Sequence, residues 1–114
     1  MKFWCFNFEG YFSATSTEYP NEGVFSGCLV KADKYEDAEF AFFEALTERK
    51  INLLEIEEYF PIDTDPNELD YENKDNLYWI EWCEEVEITG KPSFETFNLY
   101  PAEEVSKLLK ENEN

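Results

Sequence analysis

Val30 to Phe60, VKADKYEDAEFAFFEALTERKINLLEIEEYF, joins a helix pattern to a strand pattern, and reading it decides the fold. Asp33 can accept a hydrogen bond from the free amides of a first helical turn. Glu36 stands three residues on, the spacing of a capping box, so the helix is expected to begin near Lys34. At about 100° per residue, Tyr35, Ala38, Ala41, Phe42, Ala45 and Leu46 make one apolar stripe. Glu36, Asp37, Glu44 and Glu48 lie around the other side, as in a helix resting on a sheet. Arg49 and Lys50 bring positive charge to the end where the helix dipole is negative. Beyond them Leu54 and Ile56 alternate with Glu55 and Glu57, the period of a strand with one wet face. Phe40 falls nearly opposite the apolar stripe and Phe43 at its border. At least Phe40 is therefore expected to be partly exposed, either covered by a terminal segment or dimer mate or offered as a hydrophobic contact for a partner.

Upstream, Lys2 to Ser13 alternates, with Trp4, Phe6, Phe8 and Phe12 on one side as the expected core, and Phe3, Cys5, Asn7, Glu9 and Tyr11 on the other. Pro20, Asn21 and Gly23 mark a reversal, and Val24 to Lys31 reads as a second, antiparallel strand interrupted by Gly27. Downstream, Ile62 to Asn76 is polar, acidic and broken by Pro66, as in a surface loop. Leu77 to Ile88, LYWIEWCEEVEI, reads as a strand with Tyr78, Ile80 and Trp82 on one side and Trp79, Glu81, Cys83, Glu85 and Glu87 on the other. Glu84 breaks the apolar row and suggests a bulge or a strand leaving the sheet. Phe94 to Tyr100 fits a fifth, edge strand, and Pro101 can open a short final helix with an apolar patch at Val105, Leu108 and Leu109. The expected fold is a single α+β domain, residues 1–114, built as a two-layer sandwich. Its mostly antiparallel sheet has about five strands, with the main helix on one face, the other face open, and a short C-terminal helix.

Composition bounds the function. Hydrophobic residues make up 43% of the chain, enough for a core, yet 27 acidic residues against 9 basic leave a net charge of -18. With no basic patch to displace counterions, direct nucleic-acid binding is disfavoured, as are anionic membranes; the natural counterpart is a basic protein. Between Ile51 and Gly90 there are 13 acids and one base, Lys74, so the charge is concentrated in one segment. Cys5, Cys28 and Cys83 cannot all pair within one chain and none lies in a CxxC spacing, which fits reduced thiols and a cytoplasmic location. The start, MKFWCFNFEG, lacks a run suited to a signal-peptide core, and no stretch of 18 apolar residues suits a membrane span.

Catalytic machinery is not legible. There is no histidine, no glycine-rich phosphate loop, and no base beside the thiols, so no cofactor, metal or enzymatic activity is expected. Asp63, Asp65 and Asn67 open like a calcium loop, but Glu68 stands where glycine is needed and Lys74 where a bidentate glutamate is needed. If the third and fourth strands share the sheet, Glu55, Glu57, Glu81, Glu85 and Glu87 fall on its open face with Tyr59 and Trp79. That expected partner-binding surface would steer in a basic protein, whereas a merely solvated acidic face would serve solubility.

In its size, its acidity, its lack of catalytic residues and its VKADKYEDAEFAFFEAL run of strand, cap and helix, the chain resembles two groups of proteins. They are the bacterial immunity proteins that neutralise a toxin's nuclease domain, and phage-encoded nucleic-acid mimics. The resemblance implies a stoichiometric inhibitor, monomeric or homodimeric, whose acidic surface plugs a cationic active site. The alternative is a structural or adaptor protein that assembles through exposed aromatics.

Overall fold

Aromatic residues at every second position favour a pleated, buried strand. In the computed structural model, which describes residues 2–62 and 74–112, that stretch is β1 (Lys2–Phe12), inside the sheet. It pairs antiparallel with β2 (Gly23–Ala32) on one side and β3 (Ile51–Ile62) on the other. Because β2 and β3 both oppose β1, they run parallel to each other, and helix α1 (Tyr35–Glu48) carries the chain across β1 between them. Two short strands, β4 (Ser93–Phe94) and β5 (Asn98–Tyr100), pair antiparallel with β2 and complete a five-stranded sheet. The expected single strand over Phe94 to Tyr100 is thus two pieces. Helix α3 (Ala102–Asn112) begins just after Pro101, whose carbonyl accepts from the Glu104 and Val105 amides, and Val105 is buried as its spacing predicts.

Helix α1 covers one face as expected. Phe6, Phe8, Phe12, Val24, Cys28 and Val30 meet Ala38, Phe42, Ala45 and Leu46 in one core, with Phe6 stacked on Phe42 at 4.6 Å. Each fully buried large side chain here contributes about 1.5–3 kcal/mol. The start of α1 differs from the capping-box expectation: Lys34 is the N-cap residue and no side chain bonds the free amides. Glu36 and Asp37 in the first turn supply favourable charge instead. The helix ends where the Arg49 amide donates to the Ala45 carbonyl and Lys50 adopts φ 58°, a left-handed turn that feeds directly into β3.

The main correction concerns Leu77 to Ile88, which is not a strand. It lies within helix α2 (Lys74–Thr89), on the sheet face opposite α1. Trp79, Trp82, Cys83 and Val86 stand at i, i+3, i+4 and i+7, so in a helix they form one stripe, and Glu84 interrupts nothing. Trp82, Cys83 and Val86 bury against Phe3, Cys5 and Leu29 in a second core, flanked by Phe60, Ile62 and Trp79. The second sheet face is therefore covered along part of its length. Among the described residues no helix is long and apolar enough to cross a membrane.

Candidate partner-binding surface

Cross-strand register sorts the second face into rows, because directly opposed residues share a face. The rows Ile62, Phe3, Lys31 and Phe60, Cys5, Leu29 lie across β3, β1 and β2. They are apolar apart from Lys31, and α2 packs on them. One step along, polarity changes abruptly. The next rows are Glu58, Asn7, Gly27, then Glu55, Glu9, Phe25, then Asn52, Tyr11, Gly23. This second half of the face carries the carboxylates.

Glu58 reaches this face by alternation with Phe60 and Ile62, a bulge at Glu57 brings Glu55 onto it as well, and a second bulge follows at Leu54. The register steps from Asn7–Glu58 to Phe8–Ile56 and from Glu9–Glu55 to Gly10–Leu53, so Glu57 and Leu54 are the extra residues. Strict alternation had put Glu55 with Glu57; the bulge puts it with Glu58. Two glycines on β2 make room on the same half. A side chain at Gly23 would run into the Tyr100 ring, and one at Gly27 would meet Asn7 Oδ1 at 2.9 Å and Glu95 Oε2 at 3.1 Å. Tyr100 therefore lies on Gly23, and the Glu95 carboxylate on Gly27.

Three of these carboxylates are held in place. The Tyr100 hydroxyl donates to Glu9 Oε2 at 2.7 Å, the Tyr78 hydroxyl to Glu95 Oε1 at 3.0 Å, and the Asn7 amide to Glu58 Oε1 at 2.8 Å. Burial, then the hydrogen bond to Glu95, pushes the Tyr78 hydroxyl up to about 12; burial, then the bond to Glu9, likewise raises Tyr100. Both stay protonated donors at neutral pH. Glu9 and Glu55 face each other directly across β1 and β3, a like-charge pair that costs stability. Among the described residues only two cations form ion pairs, Lys31 with Glu87 and Arg49 with Glu18, so this pair receives no compensating charge there. The described residues contain no grouping of three acids or thiols able to hold a metal.

The surface expected from the sequence is not assembled as such. Glu55 lies on the open half, Glu57 in a bulge, and Tyr59 on the α1 side, its ring tilted against Tyr35 with centroids 4.7 Å apart. Trp79 is on the opposite side from Tyr59, against Phe60 and Trp82. Glu81 and Glu85 share the solvent side of α2 with Glu84 and the exposed Ile88, while Glu87 is bound to Lys31 at 2.6 Å. The physical reason is the helix: carboxylates two apart align on a strand but diverge on a helix. Phe40 is exposed, as its position on α1 predicts. Asp63, Asp65, Asn67 and Glu68 lie outside the described residues. Sequence reasoning passed over Glu9, Glu58, Glu95, Asn7, Tyr78, Tyr100 and the row-mates Gly23 and Gly27. The available signal was Glu9 and Asn7 following Phe3 and Cys5 on the same side of β1.

The thiols are poor nucleophiles. Burial, reinforced by Glu95 and Glu58, pushes Cys5 up to about 12; burial pushes Cys83 up to about 11 and Cys28 higher still. No family model, curated protein or solved structure matches the chain.

Proposed function

We propose that the chain is a non-catalytic binding protein that neutralises a basic partner, as an immunity protein inhibits the nuclease domain of a toxin, in the cytoplasm. The observation that carries this reading is the array Glu9, Glu55, Glu58 and Glu95 on the open half of the second sheet face. Glu9, Glu58 and Glu95 are fixed by Tyr100, Asn7 and Tyr78 rather than by cations, and Glu55 stands directly opposite Glu9. A like-charge cross-strand pair weakens the fold, and a partner's lysines or arginines would turn that cost into affinity. Phe25 and Tyr100, with ring centroids 5.3 Å apart, offer an aromatic anchor beside the carboxylates. With a net charge of -18, association would be fast at low salt and slower as salt screens it.

The test uses the product of the neighbouring gene. Expressed alone it is expected to kill cells, and co-expressed with this chain to be harmless. Glu55→Lys with Glu58→Lys should remove protection and weaken capture of that product about a hundredfold, while Glu81→Lys with Glu85→Lys on α2 should cost far less. A harmless neighbour, or protection untouched by the β3 reversal, overturns the proposal.

A further inference from the structure

The outer side of α1 lies across the sheet from the carboxylate array, and it has its own chemistry. Phe40 is 65% exposed and Phe43 is 41% exposed. At i and i+3 they form one ridge, and with Glu44, Thr47 and Glu48 they line a shallow depression. Single exposed apolar residues need no explanation, but two phenylalanines side by side on a helix ringed by carboxylates do. Between Tyr35 and Glu48 the helix carries Glu36, Asp37, Glu39, Glu44 and Glu48 and no base. The two bases that follow are turned elsewhere, Arg49 towards Glu18 and the rings of Phe94 and Phe97, Lys50 onto the Thr15 carbonyl.

We infer that this face docks an amphipathic helix of a partner protein, one whose apolar stripe is flanked by lysine or arginine. Phe40 and Phe43 supply the desolvated centre of the contact, and Glu36, Glu44 and Glu48 its charged rim. Charge decides against the other occupants. A second copy would pack this helix on itself by a two-fold axis and set five acids against five across the contact. An anionic lipid surface would be repelled by the same rim. The inference does not depend on the carboxylate array, because the two surfaces lie on opposite sides of the sheet.

The probe is a synthetic leucine/lysine peptide of helical periodicity, titrated into the isotope-labelled protein, with a serine/lysine peptide of equal charge as control. Amide shifts are expected along Glu36 to Glu48, with the control binding at least about tenfold more weakly. Phe40→Ser with Phe43→Ser should raise Kd about tenfold or more, and Glu55→Lys with Glu58→Lys should leave the α1 shifts in place. Since Phe40 is mostly in solvent, Phe40→Ser alone should keep the thermal midpoint and still weaken binding. Equal affinity for both peptides, or shifts confined to the open half of the sheet, overturns the inference. So does a dimer in sedimentation that Phe40→Ser disperses.

Discussion

Strands β1, β2 and β3 each run through two regions of one sheet face that obey opposite rules. Under α2 the rows are Phe3, Cys5, Leu29, Phe60 and Ile62; beyond it they are Asn7, Glu9, Glu55 and Glu58. Pairing of β1 with β2 is continuous across the boundary, while the β1–β3 ladder has both of its bulges in the open half. The side chains differ as well, and with them the source of stability. The covered half is held by apolar burial and the open half by hydroxyl and amide donors to carboxylates. One half of the face stabilises the fold, while the other spends some of that stability on charge.

Trp82→Ala tests the covered half most severely. Its ring is 6% exposed and its indole N–H donates to Ser93 Oγ at 2.9 Å. Urea denaturation should show a loss of about 3 kcal/mol, and a loss below about 1 kcal/mol would mean that α2 barely contributes.

Alkaline pH should produce a smaller loss from the same half. Cys5 and Cys83 have folded values raised from 9.0 to about 12 and about 11 by burial. The folded chain therefore keeps protons that the unfolded chain gives up, so their contribution is complete below pH 9 and disappears as pH climbs towards 11 and 12. Denaturation midpoints should fall over that window, and less steeply in Cys5→Ala with Cys83→Ala.

The open half should answer with the opposite sign and the smallest magnitude. Glu55→Gln removes the repulsion with Glu9 without breaking a bond that holds the array, and should raise stability by about 0.2–1 kcal/mol while weakening capture of the basic partner. A variant that loses both stability and binding would refute the idea that charge there is costly to the fold.

Much of this was legible in the sequence. The alternation of Trp4, Phe6, Phe8 and Phe12, the stripe of α1 and the change of period after Lys50 place the sheet and its first cover. Helix α2 was misread because tryptophan, tyrosine and isoleucine favour strands and because a short window satisfies period two nearly as well as 3.6. Glu84 was the deciding residue: a strand needs a bulge there, whereas a helix needs nothing. The sharing of a face by Glu55 and Glu58 was out of reach for another reason. A bulge is a property of how one strand meets its neighbour, and β3 alone cannot reveal that Glu57 is the extra residue. Gly27 was visible as an interruption of β2, but the Glu95 carboxylate it admits comes from a segment more than sixty residues away, with Glu95 donating its amide to the Gly27 carbonyl.

In the strand order β3 is terminal, and its interrupted ladder has a consequence for crowding. A long, regular margin invites other extended chains to zip on, the first event in fibril growth. Here the longest unbroken run is Glu58 to Ile62, and Pro61 within it has no amide proton to give. A newcomer would find only short stretches to grip, against glutamates that repel most segments of this same chain. The kink that sets Glu55 on the same face as Glu58, with the second one at Leu54, thus also lets many copies share a small volume without seeding one another.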